Sequence, residues 1–417
     1  MNTQDTQQIA DLAVVGAGAA GLMTAIQAAG LGLSVLLLDG REKIGAKILM
    51  SGGTRCNVTN RAVTEKDYST GAPHTVRAAL KAYTAEETIA FFEELGVPLK
   101  LEPTGKYFPL SDRAQDVLDA LTARAKQAGV RLVTGRKILR VAQEGGIFTL
   151  FSGTENFTAR AVVLTTGGLS FPSTGSDGTG YRIAQSFGHT LVSTTASLTP
   201  LLTNDADWKS LSGVTVPARL SLWLAGKKVY ETTDSFLFTH FGFSGPAALD
   251  LSRHWIRANR AKGARVEACF FPNDKEEDAT EDLRLAAGLG GKRTVSGWLS
   301  RVLPARLADV LLFKTGIEPE RMLSYLKKED RLKLLAAMFR SHLAVNGDMG
   351  YEKAEVTAGG VDLAEIGRTT LASKLQPGLF FAGEIVDVDG RIGGFNFQWA
   401  WSSGTVAARS AARFLKP

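Results

Sequence analysis

The chain has 417 residues, of which 44% are hydrophobic, so two or three domains with large buried cores are expected. Its net charge of +6 favours anionic ligands, but no run of basic residues is interleaved with aromatic residues, so no nucleic-acid partner is expected. Two cysteines, Cys56 and Cys269, exclude a disulfide framework, a structural metal site and a dithiol relay. The sequence shows neither a signal-peptide pattern nor a run of about 18 apolar residues, which predicts a cytoplasmic protein with no membrane partner.

The N-terminal region predicts a strand, a glycine-rich turn, a helix and a second strand. Residues 12–15 form a short apolar run, GAGAAG (16–21) follows, and helical apolar spacing continues from there. The second strand, 34–38, ends at Asp39, an acidic residue 21 positions after Gly18 and placed to accept both hydroxyls of a ribose. Strand, turn, helix and acidic residue together predict a dinucleotide site.

The glycines of this turn have separate predicted tasks. Gly16 allows the tight turn, Gly18 lets a pyrophosphate approach the helix N-terminus, and Gly21 lets the helix pack on the strand. Ala19 and Ala20 complete the turn with small side chains. The pattern serves NAD and FAD equally, so the rest of the chain must decide between them.

The segments that follow Asp39 differ in their predicted secondary structure. Residues 40–62 show no periodicity and predict a loop, whereas 84–96 and 111–128 predict helices, the second capped by Ser111 or Asp112.

Later segments predict the domain organisation. Residues 194–275 show short alternating strands, typical of an antiparallel β unit, and residues 276–344 are helical and charged. The predicted fold is α/β: a doubly wound Rossmann-type domain (1–193 and 345–417) interrupted by a β unit and a helical unit.

Two more strands of this doubly wound domain end in small residues. Residues 161–165 run into Thr166, Gly167 and Gly168, and residues 379–382 run into Gly383 and Glu384. Ligands gather outside the carboxyl ends of parallel strands, so these turns should approach the same ligand as GAGAAG. A ligand reached from both ends of the chain favours an extended FAD over NAD.

The last turn leads into the C-terminal helix. Gly393 and Gly394 precede a segment whose alanine spacing is helical. A helix N-terminus carries roughly half a positive charge, which would stabilise negative charge on a reduced flavin. We interpret this turn as a redox-tuning element.

Five stretches make the chain similar to a known family. They are KILMSGGTRCNVTN (47–60), STGSDGTGYRIAQSFGHT (173–190), SFLFTHFGFSGPAALDLS (235–252), EVTAGGVDLAEI (355–366) and LFFAGEIVDVDGRIGGFNFQWAWSSG (379–404). The chain resembles the bacterial NAD(P)/FAD-dependent oxidoreductases of the aminoacetone-oxidase-like or bile-acid-reductase-like kind. The resemblance implies that the insertion consists of a β-barrel-like unit and a helical unit, that FAD is tightly and non-covalently bound, and that the activity is on conjugated double bonds of steroid-like acids or on small amines. The sequence shows no second nucleotide fingerprint, so NAD(P)H is expected at most as a transient donor.

The resemblance also implies positions for the cofactor. The pyrophosphate and adenosine ribose would meet Gly16, Gly18, Gly21 and Asp39, with Gly40 and Arg41 beyond them and the backbone of Ile138 at the adenine. The flavin side of the long loop would be lined by Lys47, Ser51, Gly52, Gly53, Cys56 and Asn57. The ribityl chain and ring would meet Gly383, Glu384, Asp387, Gly394, Asn396 and Gln398. In this family the position of Thr54 is often glycine.

Flavin chemistry needs little from side chains beyond positioning and a proton source. Lys47 and Arg55 are cations of the long loop, able to stabilise reduced flavin, bind an acidic substrate or hold a carbonyl. His240 is a candidate proton donor, although a structural histidine is the more common case. Cys56 is more often a small buried residue than a reactive thiol.

Three functions are consistent with these features. The leading prediction is an FAD-dependent oxidoreductase acting on a small molecule in a pocket between the FAD domain and the insertion. A second is an RNA-modifying flavoprotein that transfers a methyl group, for which Cys56 is the available nucleophile. A third is a flavin sensor without turnover. The sequence leaves the substrate, the electron donor and the oligomeric state open.

Overall fold

A computed structural model describes residues 9–259, 263–289 and 292–416. The chain forms two compact units. Unit 1 combines the residues up to Ala196 with those from Ala354 onward, and unit 2 comprises Ser197–Lys353. The chain therefore leaves unit 1, builds unit 2 and returns.

Unit 1 contains strands from both of its chain segments. The strands are β1 Ala10–Val15, β2 Val35–Leu38, β3 Thr59–Asn60, β4 Tyr68–Ser69, β5 Leu99–Leu101, β6 Lys106–Pro109, β7 Arg131–Val133, β8 Arg140–Glu144, β9 Ile147–Phe151, β10 Asn156–Leu164, β11 Leu191–Ser197, β19 Val356–Val361, β20 Leu379–Phe381 and β21 Asp389–Gly390. The helices are α1 Ala19–Gly30, α2 Ala46–Thr54, α3 Pro73–Ala82, α4 Ala85–Glu94, α5 Ala114–Gln127, α6 Thr179–Ser186 and α14 Phe395–Leu415.

The central sheet of unit 1 has the order β7-β2-β1-β10-β9-β8, with β20 also pairing with β10. Strands β7, β2, β1, β10 and β20 are parallel, whereas β9 and β8 continue antiparallel from β10. Since parallel strands end at the same edge, the chain leaves β1, β2, β10 and β20 on one side of the sheet. This edge is where the glycine turns lie.

Both faces of this sheet are covered, as a parallel sheet requires. Leu12 and Val14 of β1 pack into the cluster that includes α1, α5 and α14, whereas Ala13 and Val15 pack into a second cluster on the opposite face. Small residues bring α14 close to α1, because a Cβ added at Gly404 would lie 2.8 Å from the Ala20 carbonyl oxygen. These contacts confirm the predicted Rossmann-type layers.

Two local predictions in unit 1 were wrong. The predicted loop 40–62 contains α2. No helical periodicity is visible in the sequence there, because the backbone departs from helical geometry from Ser51 onward and the regular part of the helix is short. The second predicted helix begins at Ala114 with Arg113 as its N-cap residue, so neither Ser111 nor Asp112 caps it. Asp112 instead adopts a left-handed backbone and pairs with Lys100.

Unit 2 contains the remaining elements. Its strands are β12 Leu201–Thr203, β13 Thr215–Leu224, β14 Lys227–Phe238, β15 Gly242–Ser244, β16 Ala264–Cys269, β17 Ser341–Leu343 and β18 Val345–Asp348. Its helices are α7 Ala206–Ser210, α8 Gly245–Asn259, α9 Glu276–Gly288, α10 Val295–Leu299, α11 Ala305–Thr315, α12 Lys328–Phe339 and α13 Gly350–Lys353.

The antiparallel sheet of unit 2 has the order β17-β16-β13-β14-β15-β12-β18. Its two edge strands are separated in the chain by the single residue Ala344. The sheet must therefore curl until its edges meet, which gives it the barrel-like form that the family resemblance implies.

Strands and helices of unit 2 share one hydrophobic cluster. Phe236 and Phe243 of the sheet belong to the same cluster as Leu311 of α11 and Leu334 of α12. The β and helical parts therefore form one unit. It extends past the predicted boundary at 345 because β18 pairs with β12.

Candidate functional site

The turn after β1 is fixed by contacts with its neighbours. A Cβ on Gly16 would lie 2.6 Å from the Thr165 carbonyl oxygen, and one on Gly21 would lie 1.7 Å from the Gly16 carbonyl oxygen. The Thr165 hydroxyl donates to the carbonyls of Val15 and Gly16 at 2.9 and 2.8 Å. The turns after β1 and β10 are thus joined directly, and Thr165 is a linking residue that sequence reasoning missed.

Gly18 has a different environment. Its backbone is extended, with φ −79° and ψ −168°, and a Cβ added there would meet no protein atom within 4 Å. Neither backbone conformation nor packing requires glycine at this position. Gly18 begins α1, and no side chain caps that helix end. A backbone amide cluster at an uncapped helix N-terminus facing open space fits a pyrophosphate.

Asp39 lies beside this turn at the end of β2. One carboxylate oxygen accepts the Ala17 N–H at 2.7 Å, and the other accepts the Arg41 N–H at 2.8 Å. A carboxylate has about four acceptor positions, so these two bonds orient it and leave capacity for hydroxyl donors. Its geometry fits the ribose contact.

The neighbours of Asp39 surround the predicted adenosine end. Gly40 packs against Lys137, since an added Cβ would lie 2.9 Å from that side chain. Arg41 donates to the Ser173 carbonyl oxygen. Ile138 is 3% exposed, so its side chain is part of the core and only its backbone is available to an adenine.

The turn after β20 meets the turn after β1 as well. A Cβ added at Gly383 would lie 2.8 Å from the Ala20 side chain of α1. The Gly383 N–H donates to Ser403, and its carbonyl accepts from Trp399, at 2.9 and 3.0 Å. The structure therefore brings the three predicted turns together at one edge of the sheet.

An ion-paired network lies where β10 and β20 end. The Lys47 Nζ pairs with one Glu384 carboxylate oxygen at 2.5 Å and bonds the Ser170 hydroxyl at 2.8 Å. The other Glu384 oxygen accepts from Ser170 at 2.7 Å and from the Thr357 N–H at 3.0 Å. The Lys47 and Glu384 side chains are 27% and 18% exposed. This network fixes a cation whose side chain remains partly exposed.

Thr357 extends the network to the turn after β10. Its hydroxyl accepts the N–H groups of Leu169 and Ser170 at 2.7 and 3.0 Å, and a Cβ on Gly168 would lie 2.4 Å from it. Thr166 and Gly167, the latter at φ +71°, occupy the same turn. Ser170 and Thr357 were missed because they lie 187 residues apart in the sequence, and Lys47 lies 123 residues from Ser170. Their places in LTTGGLS and EVTAGG, one residue away from a glycine pair, were the available signal.

The loop after α2 combines strain with burial. Gly52, Gly53, Thr54 and Cys56 all have left-handed backbones, with φ between +55° and +69°. Cys56 is fully buried, and burial raises the pKa of its thiol to about 12. The interpretation of Cys56 as a buried residue is confirmed. A thiol in this state is a poor nucleophile, which disfavours the methyl-transfer alternative.

Other residues of this loop bind protein atoms. Ser51 donates to the Ile48 carbonyl at 2.8 Å, and a Cβ on Gly52 would lie 3.0 Å from the backbone nitrogen of Asn57. Arg55 pairs with Glu102 at 2.7 Å and stacks on Phe108 at 4.0 Å. Lys47 is therefore the loop cation that lies at the edge of the sheet, whereas Arg55 is held by Glu102 and Phe108.

The start of α14 is built around Gly393 and Gly394, which have φ values of +134° and +90°. The Asn396 side chain exchanges two hydrogen bonds with the Gly390 backbone at 2.8 and 2.9 Å. Gln398 is fully buried and accepts from Thr59 at 2.6 Å. The side-chain amides of Asn396 and Gln398 thus bond protein atoms, and the cofactor contacts that the resemblance implies for these two residues stay a prediction.

Two predicted residues remain to be placed. Asp387 is 6% exposed, and one of its oxygens accepts the Gly71 N–H at 3.4 Å. His240 is exposed in the turn between β14 and β15 of unit 2. Within the described residues, no group of His, Cys, Asp or Glu side chains is arranged to hold a metal ion. No described helix is long and apolar enough to cross a membrane.

The comparisons agree with this geometry. The family model for the HI0933-like protein Rossmann domain matches residues 10–410. A ribosomal RNA dihydrouridine synthase from Haemophilus influenzae is 35% identical over 97% of this chain and 99% of its own length. A 3-dehydro-bile acid delta(4,6)-reductase from Clostridium scindens is 32% identical over 96% and 98%.

A solved structure supports the fold. The 3-ketosteroid delta1-dehydrogenase from Sterolibacterium denitrificans aligns with a TM-score of 0.50 at 14% identity, covering 97% of this chain and 99% of that one. Family, relatives and sheet-edge geometry lead to one conclusion. The chain belongs to the HI0933-like family of bacterial Rossmann-fold proteins and is an FAD-dependent oxidoreductase.

Proposed function

We propose that this enzyme reduces a carbon–carbon double bond conjugated with a carbonyl group, and that its substrate is a uracil base in ribosomal RNA. The names of two relatives support the reaction class. Dihydrouridine is uridine whose C5–C6 double bond, conjugated with the C4 carbonyl, has been reduced. The delta(4,6) double bonds of a 3-dehydro bile acid are conjugated with its 3-oxo group. Both names describe addition of a hydride and a proton to the same kind of bond.

The choice of RNA departs from the small molecule that the sequence favours. It is supported by the more similar of these two relatives, which is 35% rather than 32% identical. The net charge of +6 suits a polyanion. A conjugated ketone of the steroid-acid type is the second candidate, supported by the bile-acid name. The predicted pocket between the FAD domain and the insertion stays a prediction.

The open space beside Gly18, where three turns from distant parts of the chain converge, is the observation that carries the cofactor assignment. When bound and reduced, FAD supplies the hydride for the β-carbon of the conjugated bond. The protein must then bind the FAD, orient the substrate and provide a proton for the α-carbon.

Lys47 is the proposed proton source. Ser170 and Glu384 hold its ammonium group at 2.8 and 2.5 Å, and 27% of the side chain remains exposed. One Nζ–H transfers its proton to the α-carbon as the hydride arrives at the β-carbon, and solvent restores the proton to Nζ. The substrate gains two hydrogens and Lys47 ends unchanged.

The reaction is tested with holoprotein reduced under argon. In separate trials NADH, NADPH and dithionite are added, and bleaching of the flavin absorbance identifies the donor; a nicotinamide is the proposed one. Reduced enzyme is then mixed with ribosomal RNA transcribed in vitro, or with a 4-ene-3-oxo steroid acid. We expect flavin reoxidation together with dihydrouridine in the digested RNA by mass spectrometry. Reoxidation by oxygen alone, with neither substrate reduced, would overturn the reaction class.

The role of Lys47 is tested with Lys47→Met. Loss of a proton donor slows reoxidation by substrate by about 100-fold or more, whereas FAD affinity and reduction by the donor change little. Lys43→Met removes an exposed lysine from the same segment and serves as the matched control. Equal rates for Lys47→Met and Lys43→Met would remove Lys47 from the mechanism. His240→Gln, in the same assay, tests His240, whose role as a proton donor stays a prediction.

A further inference from the structure

The helical part of unit 2 is acidic in α9, which carries Glu276, Glu277, Asp278, Glu281 and Asp282, and basic in the residues that follow it. Residues 292–340 contain eleven Lys or Arg against five Asp or Glu, a surplus equal to the net charge of +6 of the whole chain. Several of these cations are already neutralised. Arg321 pairs with Asp330, Lys314 with Asp205 and Asp207, and Arg340 with Glu276.

Seven cations of this region form no ion pair within the described residues, and four of the seven lie on two segments joined through their backbones. The Leu323 N–H donates to the Arg293 carbonyl at 2.9 Å, and Thr294 forms an antiparallel bridge with Met322. Lys292 and Arg293 are exposed on one segment, and Lys327 and Lys328 on the other. The exposed acids Glu320 and Glu329 flank the second segment rather than interrupt it.

An aromatic ring lies among these cations. Tyr325 is 74% exposed and Met322 is 37% exposed, although both precede the buried core of α12. Tyr325 therefore offers an exposed aromatic face next to cations that have no ion pair. We call Lys292, Arg293, Tyr325, Lys327 and Lys328 the basic patch.

We infer that the basic patch docks single-stranded RNA, with the four cations on phosphates and a base stacked on Tyr325. This inference rests on the proposed RNA substrate and names the surface that would hold it. Cations neutralise phosphates and release counterions, whereas aromatic rings stack bases without regard to sequence. The patch offers both on two segments that the backbone bonds of Leu323 and Thr294 hold together, which is the combination that such recognition requires.

The test uses FAD-loaded full-length protein and ribosomal RNA transcribed in vitro, with binding measured over a range of salt concentrations. In Lys327→Glu with Lys328→Glu, affinity falls at least about tenfold, and the slope of log K against log salt becomes shallower by about 1.4. Tyr325→Ala weakens binding about fivefold or more with the slope unchanged.

The matched control is Lys227→Glu with Lys228→Glu, which reverses two adjacent exposed lysines of the same unit. An equal loss in this control would show a diffuse charge effect and overturn the docking surface. If wild-type enzyme reduces the RNA and the patch variants reduce it equally well, the patch fails while the proposed function stands. If the wild type reduces the ketone but neither binds nor reduces RNA, both the patch and the RNA substrate fail.

Discussion

Two glycine-rich segments of unit 1, residues 16–21 and 51–56, look alike in sequence but are built on different principles. In the first, a side chain at Gly16 or Gly21 would clash with backbone atoms, whereas a side chain at Gly18 would enter open space. In the second, left-handed backbone extends beyond the glycines to Thr54 and Cys56. Close packing and one open space therefore explain the glycines of the first segment, whereas backbone conformation explains those of the second. Substitutions at each test this difference.

The largest effect is expected for Gly21→Ala. The new Cβ would lie 1.7 Å from the Gly16 carbonyl oxygen, a backbone atom that cannot rotate away. We expect destabilisation of unit 1 by at least about 3 kcal/mol, seen as a lower thermal midpoint of the apoprotein and faster proteolysis. A wild-type midpoint would show that the turn can move, and the packing account of the first segment would fail.

Gly18→Ala in the same turn should spare the fold and lose the ligand. Its Cβ would meet no protein atom, so the apoprotein should melt like the wild type. The methyl group would fill space assigned to the pyrophosphate, and we expect FAD affinity to fall about 10- to 100-fold, or about 1.4–2.7 kcal/mol. Titrating deflavinated protein with FAD measures this. Unchanged affinity would place the pyrophosphate elsewhere.

The sequence predicts the first segment well because the elements that define it are close together in the chain. Strand, turn, helix and Asp39 lie within 30 residues, and hydrophobic periodicity shows each of them. The second segment depends on residues that are distant in sequence. Arg55 is held by Glu102 and Phe108, and Lys47 by Ser170 and Glu384, contacts that follow from strand order and not from spacing.

The same limit explains other outcomes. Asn396 and Gln398 carry amides of the type that bind flavins, but only the packing of α14 shows that Gly390 and Thr59 already occupy them. The barrel-like form of unit 2 follows from the single residue between β17 and β18. That relation appears only when the pairing order is known.

Cys56 gives a pH-dependent test of the second segment. The pKa of its thiol is raised from 9.0 to about 12 by burial, so the folded state keeps the proton while the unfolded state releases it above pH 9. Stability is therefore unaffected by this thiol below pH 9 and falls as pH rises toward 12, by up to about 1.4 kcal/mol per pH unit. Comparing the unfolding of wild type and Cys56→Ala from pH 8 to 10.5 isolates the effect. Parallel pH profiles would show that the thiol is accessible to water.

The smallest effect is expected at Thr54. Thr54 is exposed, its φ is +69°, and its hydroxyl contacts only the neighbouring Gly53 carbonyl at 2.6 Å. Relief of the left-handed conformation in Thr54→Gly contributes about 1–2 kcal/mol, and the added freedom of the unfolded chain removes about 0.5–1 kcal/mol. The net gain of about 0.5–1 kcal/mol should appear as a higher melting temperature of the apoprotein.

Thr54→Ala is the control, because it removes the hydroxyl but keeps the Cβ that makes this backbone costly. It should gain little or nothing. If alanine stabilises as much as glycine, the hydroxyl and not the backbone is the source of strain. If neither stabilises, the left-handed backbone at Thr54 is held by its surroundings at no local cost, and the contrast between the two glycine-rich segments disappears.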